Sequence, residues 1–426
     1  MAKAGDIVKI KTIKEELKGT LLPSLDPSLL LLKLESGYNI GISKKEVQQL
    51  RVEGKAKLEA FPSLKAKQKN LPGISLIVTG GTISSRLDYK TGAVKWLSKP
   101  EELLAVAPGM LNIVNVKKIE VPFLIGSENM VPKNWIKIAK IAAKLLNKKE
   151  NKGIIITHGT DTLHYTAAAL SFMLKNLNKT VILTYSQRSL DRGSSDALLN
   201  LTCSAHASLS DIAEVMLVGH ATSQDNYCFA MRGTKVRKMH TSRRDTFRPI
   251  NELPIAKIDE QGKINIINKE FKRRDEKKRV QVDATFSDKI ALLKYYPGAD
   301  PDILNYYINK RYKGIIVEML GLGHLATSES EMNWLPLIKK AINKGIIICA
   351  APQTIYGRLD PYVYSTGREI QASGVIYLED MLPEVAYVKL GWLLGHRYNK
   401  EKIKELMLKN IAGELNKKIS EKAFLY

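Results

Sequence analysis

Two stretches of the sequence end in glycine turns followed by residues that could act on a substrate. Residues 75–84 have the sequence SLIVTGGTIS, and residues 153–162 have the sequence GIIITHGTDT. In each, an apolar run typical of a buried strand precedes glycine and a hydroxyl side chain. Glycine permits a tight turn and leaves room for a ligand close to the main chain. Thr82 is therefore placed like a nucleophile or like a phosphate-cradling hydroxyl, although the Gly-Lys-Ser/Thr end of a P-loop is missing.

The positions of these residues follow from the elements that carry them. A side chain at the carboxyl end of a strand in an open α/β sheet points into the crevice where such sheets bind ligands. Thr160 and Asp161 stand at the start of a predicted helix whose apolar residues recur at helical spacing. The backbone N–H groups at a helix start stabilise a carboxylate, so Asp161 taken alone could be only an N-cap.

Together the two stretches resemble the L-asparaginase/glutaminase family, whose signatures TGGTI and HGTDT occur here intact and in order. The resemblance extends from about residue 71 to near residue 396. It implies an asparaginase-type two-domain α/β fold and amide hydrolysis by acyl transfer. Thr82 would be the nucleophile, while Thr160 and Asp161 would belong to a second catalytic set.

The resemblance also implies how the substrate is held. Backbone N–H groups near Gly81 and Gly159 are candidates for stabilising an oxyanion. Asp161 is expected to bind the substrate ammonium group and to orient a lysine. Tyr89 stands in a polar segment that we interpret as a lid, where the family carries a tyrosine that helps activate the threonine.

A further predicted strand, residues 121–130, turns polar at its end and resembles the family's GSQDM motif. Ser127 is accordingly expected to hold the substrate α-carboxylate, although it could instead only cap the following helix. Glu128 stands where standalone enzymes usually have glutamine. A carboxylate can pair with an α-ammonium group, and this departure points toward an amidotransferase branch of the family.

The catalytic lysine is the difficult assignment. A threonine hydroxyl needs a base, and a lysine whose pKa is depressed by burial can serve. Standalone asparaginases carry theirs just before a central strand, but residues 206–215 contain no lysine. The candidates are Lys235 and Lys238, in a segment that resembles the lysine-containing signature of amidotransferase subunits. We favour Lys238 as the catalytic residue. The alternative is that Lys238 is only a surface charge that contacts tRNA.

The first 70 residues lie outside the asparaginase resemblance. Short alternating runs separated by turn residues predict a small β-barrel, followed by a lysine-rich linker. We therefore predict three parts: residues 1–70 as barrel plus linker, 71–280 as the catalytic α/β domain, and 281–426 as a second α/β domain with a charged, helix-prone tail. An asparaginase-like domain behind such a barrel resembles the D-subunit family of archaeal glutamyl-tRNA(Gln) amidotransferases.

This second resemblance implies a glutaminase that passes ammonia from glutamine to an E subunit. That partner would use ATP and Mg²⁺ to convert glutamyl-tRNA(Gln) to glutaminyl-tRNA(Gln). This chain shows no ATP motif and no metal site, so we expect no cofactor in it. We expect a homodimer within a heterotetramer.

Two other functions remain open at the level of sequence. A standalone L-asparaginase/glutaminase would leave the barrel, Glu128 and the shifted lysine unexplained. A non-catalytic tRNA-docking scaffold would leave the TGGTI and HGTDT motifs unexplained.

The composition bears on partners and compartment. The net charge of +23 favours an acidic partner, with nucleic acid as the leading candidate. A compositional bias of the genome that raises the lysine content explains the charge equally well. Cys203, Cys228 and Cys349 have no metal-ligand spacing and fit reduced thiols. We see no apolar signal segment and no run long enough to span a membrane, so we expect a cytoplasmic protein.

Overall fold

The computed structural model describes residues 2–24, 26–35, 38–56, 70–87, 94–97, 103–104, 107–190 and 192–426. Tyr89, the predicted lid residue, lies outside these residues. None of the helices in the described ranges is long and apolar enough to cross a membrane.

The N-terminal module is an antiparallel sheet of five strands. They are β1 (Asp6–Thr12), β2 (Glu16–Leu22), β3 (Leu29–Leu34), β4 (Asn39–Ser43) and β5 (Val47–Lys55). The strand order is β4-β3-β2-β1-β5, and β5 pairs with β1 through two register irregularities. Side chains from all five strands meet in one small core that includes Val8, Ile10, Leu21, Leu32 and Ile42. The sheet therefore encloses a core of its own, as is expected of the small barrel that the alternating pattern predicts.

The second unit is built on an eight-stranded sheet. Its strands and accessory strands are β6 (Gly73–Val78), β7 (Ser85–Leu87), β8 (Val94–Trp96), β9 (Asn115–Glu120), β10 (Gly153–Thr157), β11 (Leu174–Lys175), β12 (Thr180–Thr184), β13 (Val215–His220), β14 (Tyr227–Arg232), β15 (Val236–Lys238), β16 (Phe247–Pro249), β17 (Ala256–Asp259), β18 (Ile264–Ile266) and β19 (Gln281–Val282). Its helices are α1 (Pro108–Leu111), α2 (Pro132–Leu146), α3 (Leu163–Met173) and α4 (Ala197–Ser208).

The order of this sheet is β18-β17-β14-β13-β12-β10-β6-β9. Strands β13, β12, β10, β6 and β9 run parallel to one another. Strands β14, β17 and β18 each pair antiparallel with the preceding strand of the sheet. Helices α2 and α3 contribute to the core on one face, and α1 and α4 to the core on the other. Because both faces are covered, β6 and β10 are buried along their whole length and carry continuous apolar runs.

The third unit is a four-stranded parallel sheet with strand order β20-β21-β22-β23. Its elements are β20 (Ile290–Lys294), β21 (Gly314–Met319), β22 (Ile347–Pro352), β23 (Ile376–Tyr377), α5 (Ile303–Asn309), α6 (Leu335–Asn343), α7 (Ser365–Ala372), α8 (Pro383–Gly395) and α9 (Lys400–Met407). Helix α8 packs against α3 of the second unit, where Phe172 stacks on Trp392 at 5.7 Å between ring centroids. One hydrophobic cluster therefore includes residues of both α/β units. This agrees with the two-domain α/β architecture that the motifs imply.

The C-terminal tail is partly built into this core. After the short helix α9, Glu414 is fully buried and pairs with the buried Lys389 of α8 at 2.5 Å. The Thr234 hydroxyl donates to the carbonyl of Ala412 at 2.9 Å. This segment is therefore not a free surface tail, although its composition is charged. Its carboxylate at Glu414 is buried together with the cation of Lys389.

Candidate active site

The site is assembled where β6 and β10 end side by side. The two strands pair in parallel, with Thr157 opposite Val78. The Thr79 hydroxyl donates to the Thr157 carbonyl at 2.8 Å, which extends the contact past the end of β6. The glycine turn that follows each strand therefore emerges beside the other at the carboxyl edge of the sheet.

The two turns touch backbone to backbone. Gly81 has φ +80°, and a Cβ atom added to it would lie 2.4 Å from the Cα of Gly159. A Cβ atom on Gly159 would in turn lie 2.8 Å from the Ser127 hydroxyl oxygen. Glycine is thus required at Gly81 both by its left-handed backbone and by the close approach of a second chain segment.

Thr82 opens a short 3₁₀ helix directly after Gly81. Ile83 is buried behind it, and the Ser85 hydroxyl donates to the Thr82 carbonyl at 2.8 Å. The half-buried Thr82 lines a cleft of about 580 Å³. The other predicted site residues that line this cleft are Gly81, Ser127, Glu128, Gly159, Thr160 and Asp161.

Lys238 reaches the same group of residues from the β15–β16 hairpin. Its ammonium donates to the Thr160 hydroxyl at 2.9 Å and to the Asp161 carboxylate at 2.7 Å. The Lys238 side chain is 14% exposed, whereas that of Asp161 is 62% exposed. Helix α3 begins at Leu163 with Thr162 as its N-cap residue, so the Asp161 side chain turns to Lys238 and does not cap the helix.

Lys235 points elsewhere. Its side chain is fully buried, and its ammonium donates to the equally buried Asp380 carboxylate at 2.7 Å. Burial lowers the pKa of Lys235, and the Asp380 charge opposes that change. The structure therefore brings Lys238 and not Lys235 to the cleft residues.

Ser127 lies between the two glycine turns and the start of α3. It is 2% exposed. Its hydroxyl accepts a hydrogen bond from the Asp161 N–H at 3.1 Å, and its carbonyl accepts one from the Thr162 hydroxyl at 2.6 Å. Helix α2 has Val131 as its N-cap residue, so the alternative that Ser127 caps this helix is wrong.

Two details near Ser127 complete the cleft. The strand predicted over residues 121–130 is wrong, because β9 ends at Glu120 and the chain then continues without a strand. Pro122 has no N–H to donate to a sheet ladder. Glu128 is exposed, and the Asn129 amide donates to its carboxylate at 3.1 Å. Ser85 and Asn129 also line the cleft, and their proximity to Thr82 and Glu128 in sequence is the only signal that could have identified them.

Within the described part of the chain, no group of three or more His, Cys, Asp or Glu side chains could hold a metal ion. The groups available at the cleft are four side-chain hydroxyls (Thr82, Ser85, Ser127 and Thr160), two carboxylates, the Lys238 ammonium group and the backbone N–H groups of the glycine turns. This set suits nucleophilic attack on a carbonyl with proton transfer and charge stabilisation.

Three families match consecutive parts of the chain. Residues 2–52 match the family described as "GatD N-terminal domain", residues 73–272 match "Asparaginase, N-terminal", and residues 289–407 match "Glutaminase/Asparaginase C-terminal domain".

Relatives that share one name align over nearly the whole chain. The glutamyl-tRNA(Gln) amidotransferase D subunit of Pyrococcus furiosus is 46% identical, covering 99% of this chain and 97% of the relative. The D subunit of Methanococcus maripaludis is 43% identical, and the alignment covers 98% of this chain and 99% of the relative.

Solved structures with a similar fold are shorter than this chain. The thermostable L-asparaginase of Thermococcus kodakarensis has a TM-score of 0.71 at 27% identity and covers 81% of this chain and 100% of its own. L-asparaginase I of Vibrio cholerae has a TM-score of 0.68 at 28% identity and covers 81% of this chain and 99% of its own.

Gly81→Ala is expected to lower the free energy of unfolding by about 2 kcal/mol or more, because the new methyl group meets backbone atoms in a left-handed conformation. Gly193→Ala is the matched control, since a Cβ atom there has open space and no positive φ. Urea unfolding of both variants measures the difference. Equal stability of the two would contradict the backbone contact between the turns.

His158 is expected to stay neutral at neutral pH. Its ring nitrogens contact the Gly159 carbonyl at 2.7 Å and the Thr166 hydroxyl at 2.8 Å, and burial lowers its pKa from 6.5 to about 4. Below pH 6.5 the unfolded chain binds a proton that the folded chain does not, so this residue should lower stability as the pH falls from about 6.5 to about 4. Histidine NMR resonances recorded between pH 5 and 8 test this, and titration of the His158 signal near pH 6.5 would contradict it.

Proposed function

Because the chain belongs to the family of glutamyl-tRNA(Gln) amidotransferase D subunits, we propose that it is the glutaminase that supplies ammonia to such an enzyme. One observation carries the chemical part of this proposal. The Lys238 ammonium bridges Thr160 and Asp161 beside the cleft that Thr82 lines. A threonine nucleophile, a second hydroxyl and a lysine held by a carboxylate form a set suited to acyl transfer.

The first half of the reaction forms an ester. The Thr82 oxygen attacks the side-chain carbonyl of glutamine, and its proton passes to Tyr89 or to Lys238, which acts in this step in its uncharged amine form. N–H groups near Gly81 and Gly159 stabilise the oxyanion. The group that took the Thr82 proton then gives it to the amide nitrogen as the intermediate collapses, so ammonia leaves and a glutamyl ester remains on Thr82.

The second half hydrolyses that ester. Thr160 positions a water molecule, and Lys238 takes up its proton as the water attacks the ester carbonyl. The C–O bond to Thr82 then breaks, the threonine regains a proton, and glutamate is released. Asp161 keeps Lys238 oriented through the 2.7 Å contact between them.

Substrate orientation is assigned to the residues between the two turns. The Ser127 hydroxyl contacts the α-carboxylate of glutamine, while Asp161 and Glu128 pair with its α-ammonium group. Both acids line the cleft and are exposed. Their charge is therefore accessible to a ligand that enters from solvent.

The remaining steps belong to the complex. An E subunit that binds ATP and Mg²⁺ activates glutamyl-tRNA(Gln) in the cytoplasm and receives the ammonia. Two copies of this chain and two of the partner form the heterotetramer. The net charge of +23 supports an assembly that binds tRNA.

A standalone L-asparaginase/glutaminase is the alternative, and it has less support. The solved asparaginases cover 81% of this chain, whereas relatives named as D subunits cover 96–99% of it. Residues 2–52 moreover match a domain named after the D subunit. Of the two functions, only that of an amidotransferase D subunit accounts for the N-terminal barrel.

Thr82→Ala is expected to lower ammonia release from glutamine at least about 10³-fold, because no ester can form without the hydroxyl. The assay uses the complex with the E subunit, ATP and glutamyl-tRNA(Gln). The same variant complex should still amidate tRNA when an ammonium salt replaces glutamine, which controls for assembly. Rapid release from asparagine by the wild-type chain alone, unaffected by tRNA, would instead support the standalone enzyme.

Lys238→Met and Lys235→Met are expected to fail in different ways. Lys238→Met should lower kcat about 10²–10⁴-fold with little change in stability, because it removes a proton acceptor. Lys235→Met leaves the buried Asp380 without its cation and should lower the free energy of unfolding by about 3–5 kcal/mol. Glutaminase kinetics and urea unfolding of both variants separate the two effects. Loss of kcat in a stable Lys235→Met variant, with Lys238→Met active, would reverse the assignment.

A further inference from the structure

The strand that carries Lys238 has little support from its own sheet. Strands β15 and β16 have three residues each and pair only with one another in the described structure. A two-stranded ribbon of this size is not stable by itself in water. The position of Lys238 therefore depends on contacts that the neighbouring side chains make with other parts of the chain.

Two such contacts are made by residues just before Lys238, and both are with the second α/β domain. The Lys235 ammonium donates to the Asp380 carboxylate at 2.7 Å, and the Arg237 guanidinium pairs with the Glu384 carboxylate at 2.8 Å. Asp380 is fully buried, and the Glu384 side chain is 7% exposed. Glu384 lies in the first turn of α8, and Asp380 precedes that helix by three residues.

The same helix also contacts the other half of the catalytic set. Helix α3 starts immediately after Thr160 and Asp161, and it packs along α8. The rings of Tyr165 and Tyr387 meet edge to face at 6.3 Å between centroids. One helix thus contacts both the hairpin that carries Lys238 and the helix that follows Thr160.

Asp380 is itself held in place by the C-terminal segment. The Asn416 backbone N–H donates to one oxygen of the Asp380 carboxylate at 3.0 Å, and the Asn416 amide donates to the other at 2.9 Å. These bonds orient the carboxylate toward Lys235. A buried charge with satisfied hydrogen bonds is a rigid anchor, because any movement exposes unpaired polar atoms to a low-dielectric interior.

We propose that Asp380 and Glu384 are positioning residues, which hold β15 through Lys235 and Arg237 so that the Lys238 ammonium reaches Thr160 and Asp161. This inference rests on the proposed function of Lys238 and adds that the second domain sets its position. Loss of either ion pair would release β15 and separate Lys238 from Thr160, while the pairing of β6 with β10 still holds the two glycine turns together.

The test uses Glu384→Met, in the full chain complexed with the E subunit. The Arg237 side chain is 24% exposed, so its freed guanidinium can turn to solvent. We expect kcat for glutamine to fall about tenfold or more with KM nearly unchanged, since a displacement near 1 Å can cost up to about 10²-fold. Glu384→Gln keeps an acceptor oxygen for Arg237 and should retain most of the activity.

His396→Leu is the matched control for a general loss of stability. It removes the 2.6 Å contact between His396 and Asp283 at the opposite end of α8, away from the hairpin. This variant should keep the wild-type kcat even where its thermal midpoint falls. A loss of kcat equal to that of Glu384→Met would show that loosening of the helix in general, and not positioning, accounts for the effect.

A second readout does not depend on catalysis. An amine-acetylating reagent should modify Lys238 severalfold faster in Glu384→Met than in the wild type, with the exposed Lys402 as the internal reference in mass spectrometry. Unchanged labelling and unchanged kcat would overturn the proposal. Absence of glutaminase activity in the wild type would refute the proposed function, while the labelling would still report whether Glu384 positions Lys238.

Should Glu384→Met fail to fold, the paired change Arg237→Met with Glu384→Met replaces both charges by apolar side chains of similar volume. Such replacements of buried ion pairs are often neutral for stability. The paired variant is expected to show the same loss of kcat and the same faster labelling of Lys238. A folded paired variant with wild-type values for both would also overturn the proposal.

Discussion

The site depends on one constraint, the parallel pairing of β6 with β10. The pairing brings two glycine turns so close that a Cβ atom on Gly81 would lie 2.4 Å from the Cα of Gly159. No side chain can separate the turns, so the hydroxyls of Thr82 and Thr160 must share one cleft. The burial of both strands by helices on each face keeps this edge of the sheet rigid.

The two α/β domains are joined by apolar packing and by buried ion pairs. A single hydrophobic cluster includes residues from both domains, and the pair Lys235–Asp380 lies fully buried between them. Lys389 and Glu414 form a second fully buried pair that holds the C-terminal segment on α8. Because a buried charge without its partner is costly, each pair permits essentially one arrangement of the segments that it joins. The second domain is thereby fixed in place against the strand that carries Lys238.

Much of the fold follows from local sequence pattern. The apolar runs before Gly80 and Gly159 are fully buried strands, as predicted, because a parallel sheet covered on both faces requires continuous apolar residues. The short runs up to residue 42 that predict strands correspond to β1–β4, whose inward side chains share one core, whereas β5 (Val47–Lys55) was not predicted. The strand predicted over residues 121–130 was wrong, since an apolar run that contains Pro122 cannot provide a continuous ladder of N–H donors.

The sequence by itself thus determined the buried strands β6 and β10, the glycine turns that follow them and the presence of both the TGGTI and HGTDT motifs. The tertiary structure alone decided which lysine reaches the cleft. Lys235 and Lys238 lie three residues apart in one basic segment, yet their partners are Asp380 and Asp161, 145 and 77 residues distant in sequence. Periodicity and composition report only neighbours along the chain. The direction of a buried side chain is set by partners that only the packed fold brings within hydrogen-bonding distance.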